Sequence, residues 1–269
     1  MPTRRPHLTR ALLIPLFALL PVTAPAQQPF VTDDADVTPR GHFHFEFSNE
    51  FDVLQRALAP SRFQNTADAE LDYGLWPGVE IGIEAPLLTI FNARGAQLHR
   101  PTGLGDTNFS IKYNFHKERE GSGLPAMAVT FNLETPTGSV RKQLGSGLAD
   151  YYLNGVLQKS VSTKTKLRLN GGILFAGNTT TGVIGINTRG TVLTGGASLV
   201  KQFTNRFTFG AELTGALTRN FALSKGQLQG LVGGNYALRK NLTLDFGLVG
   251  GRFSASPRAG AQLGFSLDF

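Results

Sequence analysis

Apolar and polar residues alternate over most of this chain of 269 residues. Its last stretch, "AGAQLGFSLDF", has alanine, leucine or phenylalanine at every second position, with glycine or polar residues between them. Successive side chains of a β-strand point to opposite faces, so this alternation predicts a strand with one apolar and one polar face. The stretch "GHFHFEFSNEF" repeats the pattern with phenylalanine against histidine, glutamate and serine.

This period of two predicts twelve strands. Their ranges are 41–53, 65–76, 78–89, 104–116, 124–136, 148–160, 163–175, 190–202, 206–217, 226–238, 241–251 and 258–269. Each is close to the roughly 9–11 residues that a tilted strand needs to cross a bilayer. Tight connections such as "WPG" and "RKN" alternate with longer ones such as "IFNARGAQLHRPTG". We therefore predict an all-β fold, a transmembrane antiparallel up-and-down β-barrel of about 12 strands in the bacterial outer membrane, with short turns periplasmic and long loops outside.

The main alternative is a soluble β-sandwich or a small closed barrel, in which the apolar faces would cover a core. Three features favour the membrane barrel. All twelve segments keep one apolar parity, acidic residues lie on the other parity in the middle of strands, and the apolar alternation continues to Phe269. A lipid-facing pattern of this kind requires closure, because every backbone polar group must be satisfied inside the bilayer.

The first 26 residues predict a cleaved secretory signal peptide. A basic, acid-free start ("MPTRRPHLTR") precedes an apolar run that contains Pro15 and Pro21, and small residues stand at Ala24 and Ala26. Residues 27–40 then form either a periplasmic N-terminal segment or a plug in the lumen, and residues 41–269 form the barrel. Cleavage lowers the formal net charge from +7 to +4, so overall charge indicates little about partners.

The polar parity of the first three strands is acidic. We call its eight carboxylates the acidic wall: Glu46, Glu50, Asp52, Asp68, Glu70, Asp72, Glu80 and Glu84. Inward-facing bases follow only later, at Lys112, Lys166 and Arg168. Because unpaired carboxylates in a dry interior are very costly, the lumen either holds water or pairs these acids with the bases. These residues are our candidates for a selective pore. The alternative is a charged filling that closes the barrel.

The predicted outer loops contain eleven basic residues and no acidic residue. They are Arg56, Arg62, Arg94, Arg100, Arg141, Lys142, Arg189, Arg219, Lys225, Arg252 and Arg258. The first six are our candidates for contacts with lipopolysaccharide and outer-membrane lipid, since basic residues bind anionic head groups. Steering of an anionic solute towards the mouth is the alternative.

The C-terminal strand is also a candidate assembly signal. Phe265, Leu267 and Phe269 have the alternation that the bacterial barrel-assembly machinery reads, and Phe269 is expected in the periplasmic aromatic girdle.

No catalytic constellation is visible, although some twelve-stranded barrels are lipid hydrolases with a serine–histidine pair. His42 and His44 could bind a metal together with Glu46, but we interpret them as wetted lumen residues. We predict no catalytic residue, no metal, no cofactor and no nucleic-acid partner.

Four segments resemble a bacterial family of outer-membrane transporters labelled "MetA-pathway of phenol degradation". They are "FVTDDADVTPRGHFHFEFSNEF", "LDYGLWPGVEIGIEAPL", "GLGDTNFSIKYNF" and "LETPTGS…LGSG". The resemblance implies an outer-membrane channel or transporter for passive uptake of a small solute, with aromatic or hydrophobic molecules among the candidates. The alternative is a structural or adhesive outer-membrane barrel with a closed lumen.

Overall fold

The computed structural model describes residues 28–121, 123–176, 190–217, 226–253 and 255–269. The strands are β1 (Phe43–Val53), β2 (Ser61–Trp76), β3 (Val79–Asn92), β4 (Thr102–Leu104), β5 (Thr107–His116), β6 (Ala126–Thr135), β7 (Asp150–Ser162), β8 (Thr165–Ala176), β9 (Gly190–Gln202), β10 (Phe207–Leu217), β11 (Gln227–Arg239), β12 (Leu242–Arg252) and β13 (Ala259–Asp268). Two 3₁₀ turns lie at Arg56–Leu58 and Val140–Lys142. No helix in these ranges is long and apolar enough to cross a membrane.

The strands form one closed antiparallel barrel. Each long strand pairs with its neighbours along the chain, and β1 pairs with both β2 and β13 to close the ring. The prediction of a barrel with twelve long strands is therefore confirmed. The sequence did not predict β4, a three-residue strand that pairs with the outer end of β3. Strands this short carry no readable period.

Two strands extend further towards the outer loops than the alternation indicated. β2 begins at Ser61, and β3 continues to Asn92. As a result, Arg62 lies on a strand rather than in a loop. The extra residues continue the pairing between strands, since Phe63 lies opposite Val53 of β1 and Phe91 of β3.

Burial in this barrel is the reverse of burial in a soluble protein. Buried polar and charged residues outnumber buried hydrophobic ones among the described residues. Large apolar side chains instead cover the outside, including Ile83, Phe109, Phe131, Leu153 and Leu213, each at least 41% exposed. This arrangement fits a barrel whose outer face contacts lipid and whose lumen is polar. It excludes the soluble sandwich.

Exposed aromatic residues form a girdle at the end of the barrel that carries the short turns. They are Phe43, Trp76, Tyr113, Phe115, Phe203, Tyr236 and Phe269. Phe269 also completes the seam between β1 and β13, because its N–H donates to the Phe43 carbonyl (3.0 Å) and its carbonyl accepts from the Phe43 N–H (2.7 Å). The two rings stack with centroids 5.6 Å apart.

We predict that deleting Phe269, or the substitution Phe269→Lys, lowers the amount of folded barrel in the outer membrane while export continues. The deletion removes two backbone hydrogen bonds at the seam, and the lysine removes the ring stack. Phe115→Lys is the matched control, since Phe115 is 53% exposed in the same girdle and lies away from the seam. Membrane fractionation and resistance to protease measure the result. Normal levels of the Phe269 variants, or an equal loss for Phe115→Lys, would contradict a special role for this terminus.

Candidate functional site: the barrel lumen

Residues 28–40, which we call the N-terminal segment, lie inside the barrel and are held there by ion pairs. Lys112 Nζ on β5 lies 2.7 Å from Asp33 Oδ1. Arg168 Nη2 on β8 lies 3.1 Å from Asp34 Oδ2. All four charged groups are largely buried, so the pairs are shielded from water. The segment is therefore fixed by charge to two strands that lie apart in the wall.

A third pair, between Asp36 and Lys166, is different because both side chains are nearly half exposed. Lys166 Nζ lies 3.2 Å from Asp36 Oδ2, which also accepts a 3.0 Å hydrogen bond from Gln158. Burial raises the pKa of Asp36, but Lys166 and Gln158 outweigh it and hold the pKa of this carboxyl below its usual range. Asp36 is therefore charged, although an exposed pair of this kind contributes little to stability.

Hydrogen bonds tie the segment to the opposite wall as well. The Glu212 carboxylate on β10 accepts from the backbone N–H groups of Val31 (2.9 Å) and Thr32 (2.8 Å). Near the turn end, the Thr38 N–H donates to Glu80 Oε2 at 2.5 Å. The chain thus crosses the lumen with bonded partners on β3, β5, β8 and β10.

Apolar contacts complete this anchoring. Phe30 is buried with three lumen-facing residues, Val200, Leu231 and Val249. A wall glycine leaves room for it, since a Cβ at Gly210 would lie 3.0 Å from the Phe30 ring.

A second apolar cluster holds the other part of the segment. Ala35 is fully buried with Ala126, Ala128 and Val156 of β6 and β7. Two of the three buried apolar clusters in the described part of the chain therefore include a residue of the segment.

The structure places all three predicted bases, Lys112, Lys166 and Arg168, on the inner face, but their ion-pair partners are on the N-terminal segment. These pairs use Asp33, Asp34 and Asp36, which the sequence analysis did not single out. A sequence signal for them exists in the acidic run "TDDAD" before the first strand. These acids do not alternate with apolar residues as in a strand, and later strands of the same chain carry inward-facing bases. Together, the two features would have indicated this pairing.

The acidic wall keeps its carboxylates on the inner face, and all eight line one cavity of about 610 Å³. In cross-strand register, Glu46 lies opposite Glu70, and Glu70 lies opposite Glu84. Glu134 and Asp150, which the sequence analysis did not select, line the same cavity. The cavity extends from Gln28–Val31 of the segment to Pro257 in the loop between β12 and β13.

His44 bridges two carboxylates near the turn end. Its Nε2 lies 2.9 Å from Glu46 Oε1, and its Nδ1 lies 2.6 Å from Asp268 Oδ1. His42 is exposed and takes no part in this contact. In the described ranges, no group of three or more histidine, aspartate or glutamate side chains is arranged to hold a metal ion.

At the mouth of the barrel, the loop between β6 and β7 is bound to the connection between β4 and β5. The Asp106 carboxylate accepts from the backbone N–H groups of Gly138 and Ser146, both at 2.8 Å. Leu144 of the same loop is buried against Leu88 and Ile90 of β3. Two stretches that were singled out in the sequence, "GLGD" and "TGS…LGSG", therefore meet at this mouth.

The six candidate rim residues, Arg56, Arg62, Arg94, Arg100, Arg141 and Lys142, are all exposed. Arg100 lies over the Phe91 ring at 4.8 Å from its centroid, and Arg62 lies over Phe63 at 5.5 Å. The predicted loop bases Arg189, Arg219 and Lys225, like the predicted signal peptide, lie outside the described residues.

A family model described as "Putative MetA-pathway of phenol degradation" matches residues 32–269. The chain belongs to this family. The match begins inside the N-terminal segment, so both the segment's aspartates and the whole barrel fall within it. A search of curated proteins gives no match to the sequence.

Solved structures of similar fold are outer-membrane barrels. An outer-membrane channel from Pseudomonas putida F1 is 15% identical with a TM-score of 0.65, and the alignment covers 88% of this chain and 98% of that one. The NanC porin is 9% identical with a TM-score of 0.57 and coverage of 83% and 98%. The KdgM porin is 12% identical with a TM-score of 0.54 and coverage of 84% and 99%. These similarities show the fold, and the family's barrel belongs in the bacterial outer membrane.

We predict that the double substitution Asp33→Asn and Asp34→Asn loosens the N-terminal segment. It leaves the buried Lys112 and Arg168 without their ion pairs, and breaking a buried pair costs about 3–5 kcal/mol. The chain has no cysteine, so Ala35→Cys supplies a single thiol at a fully buried position. Its reaction with a water-soluble maleimide should accelerate at least about tenfold in the double variant.

The matched control for this experiment is Asp36→Asn, which breaks only the half-exposed pair with Lys166. It should leave the labelling rate nearly unchanged, because exposed pairs contribute about 0–1 kcal/mol. Equal labelling in the double variant and the control would show that the buried pairs do not hold the segment.

Proposed function

We propose that this protein is an outer-membrane channel that admits a small solute passively, without a reaction or a cofactor. The observation that carries the proposal is the cavity of about 610 Å³ inside a closed barrel, lined mainly by polar side chains. A barrel filled by its own side chains would leave no such space. The cavity reaches Pro257 in an outer loop, so it lies on the path of a solute that arrives from outside.

The proposed solute is a small molecule, with aromatic or hydrophobic compounds as the first candidates. The family description, which names phenol degradation, supports this choice. Apolar groups in the cavity support it as well, since Phe30, Val31 and Leu174 contribute to a lining that is mainly polar.

Passage to the periplasm requires the N-terminal segment to shift or a narrow path to remain beside it. The segment is tied to the barrel at its end, where Arg40 bridges to Gly74 on β2. Its inner part is held through side chains. Where the backbone of the segment is bound, the partner is a wall side chain such as Glu212. We therefore propose that residues 28–36 are the part that moves.

We further propose that the exposed rim bases contact lipopolysaccharide and that the C-terminal strand is recognised by the barrel-assembly machinery. The absence of acids among the predicted outer loops supports the first proposal, since basic residues near an anionic surface each contribute about 1 kcal/mol. The exposed terminal aromatic residue supports the second.

A structural or adhesive barrel with a closed lumen is the second candidate. The specific observation in its favour is that the N-terminal segment is bonded to several parts of the wall at once, which narrows the lumen.

Conductance and solute uptake separate the two candidates. Two forms of the barrel, the unaltered protein and a variant that lacks residues 28–36, are reconstituted in planar bilayers and in liposomes. A channel should give discrete current steps and faster phenol uptake than empty liposomes, with larger steps after the deletion. A protein that conducts in neither form and does not accelerate phenol uptake would be a closed structural barrel.

We predict that small cations pass more easily than anions, because the acidic wall carries more charge than the lumen bases and a low-dielectric wall focuses the field. Neutralising Glu70, Asp72, Glu80 and Glu84 to Gln or Asn should weaken this preference without unfolding the barrel, since lumen substitutions tune selectivity. Reversal potentials in a salt gradient measure the preference for cations over anions in the parent protein and in the variant. An anion-selective parent protein, or unchanged selectivity in the variant, would show that these carboxylates do not line the conducting path.

A further inference from the structure

We propose that Asp106 sets the size limit for solutes, because it holds the loop between β6 and β7 over one side of the entrance to the lumen. We call residues 136–149, which connect these two strands, the mouth loop. Asp106 acts through the loop and is therefore a positioning residue. The inference rests on the proposed function, since a size limit exists only in a channel.

The mouth loop folds onto the inner face of the barrel. Its Leu144 is 1% exposed and is buried with Leu88 and Ile90 of β3. Those two residues share the strand parity of Glu80 and Glu84, which line the cavity, so they face the lumen. Because β5 lies between β3 and β6 in the ring, the loop crosses the inner side of β5 to reach them.

Both ends of the mouth loop start from the cavity lining. Glu134, one residue before the end of β6, and Asp150, the first residue of β7, line the cavity. Ala255 and Pro257 of the loop between β12 and β13 line it as well. Six long strands separate the two loops in either direction around the ring, so they face each other across the entrance. A solute from outside passes between them, and the position of the mouth loop sets the width of its path.

A β-bulge places Asp106 where it can hold the mouth loop. β3 pairs with β5 up to Glu84 and with β4 from Leu87 onwards, so residues 85–86 lie opposite three residues, 105–107. An extra residue of this kind bends the strand and changes the direction of a side chain. Asp106 lies inside the bulge and is 7% exposed.

The Asp106 carboxylate joins the two legs of the mouth loop. Its Oδ1 accepts from the Gly138 N–H and its Oδ2 from the Ser146 N–H, each at 2.8 Å. The contact is close enough that a Cβ at Gly145 would collide with Oδ1. Hydrogen bonds to a charged acceptor are stronger than neutral ones, and loss of a buried acceptor leaves its donors unpaired. Removal of this carboxylate should therefore release the loop.

The first test measures release of the mouth loop. The chain has no cysteine, so Leu144→Cys supplies a single thiol at a buried position. Addition of Asp106→Ala should accelerate the reaction of this thiol with a water-soluble maleimide at least about tenfold. The matched control adds Glu84→Gln instead. It removes one carboxylate from the same side of the lumen, where Glu84 Oε2 accepts from Asn108 of β5 at 2.9 Å, and should leave the labelling rate unchanged.

The second test measures the size limit of the full protein in liposomes. Swelling assays report the entry of glycerol, glucose and raffinose, which are uncharged and therefore do not respond to the lumen carboxylates as ions do. The ratio of raffinose entry to glycerol entry should at least double in Asp106→Ala and keep its parent value in Glu84→Gln. Circular dichroism verifies that each variant is folded. Asp106→Asn keeps the side-chain shape but only one carboxylate oxygen, and it replaces Asp106→Ala in both tests if the alanine variant does not fold.

The outcomes separate this inference from the proposed function. Unchanged labelling without the carboxylate would overturn the role of Asp106, and faster labelling with an unchanged size limit would overturn the role of the loop. Either result in a parent protein that admits glycerol leaves the channel standing. A parent protein that admits no probe, glycerol included, would remove the proposed function and the size limit with it.

Discussion

Closure of the ring between β1 and β13 is the interaction on which the rest of the molecule depends. Inside a bilayer, each backbone N–H and C=O must find a partner within the protein. The ten paired positions from His44–Asp268 to Val53–Ala259 supply those partners at the last open edge. Closure also separates the two faces of every strand into lipid side and lumen side, so the position of each acidic residue follows from it.

The closed lumen is divided by charge into two regions. One region contains the bases of β5 and β8, which are matched by aspartates of the N-terminal segment. The other is the wall of β1–β3, where carboxylates face a cavity and His44 bridges one of them, Glu46, to Asp268 of β13 at the turn end. The segment thus neutralises one region and leaves the other for solvent, ions or a solute. This division explains why the bases predicted to face the acids do not pair with them.

The alternation of the sequence was sufficient to predict the fold and the side of the wall on which Glu70 and Lys112 lie, because a parity of two is a local property. It could not predict that Lys112 pairs with Asp33, which is 79 residues away, since that contact exists only after closure. The segment has no period, so its sequence left two positions open, in the periplasm or as a plug in the lumen. The predicted strand ends were wrong where the side chains stopped alternating but the backbone pairing continued, as at Arg62 and β4. Glu134 and Asp150 were missed because their alignment with Glu84 depends on the register of four strands.

The exposed apolar face has a consequence for how such sequences can change. Lipid requires only that an outward residue be apolar, so Ile83 or Phe109 can be exchanged for many others at little cost. This freedom fits a fold retained at 15% identity to the channel from Pseudomonas putida F1. Insertions are restricted far more. One residue added inside β2 would reverse the parity beyond it and turn Asp68, Glu70 and Asp72 towards lipid, where charged side chains cost up to a few kcal/mol each near the midplane. Length changes are therefore tolerated in the loops and at strand ends, where the register already shifts in several strands, whereas the middle of a strand can change in composition but not by a single residue in length.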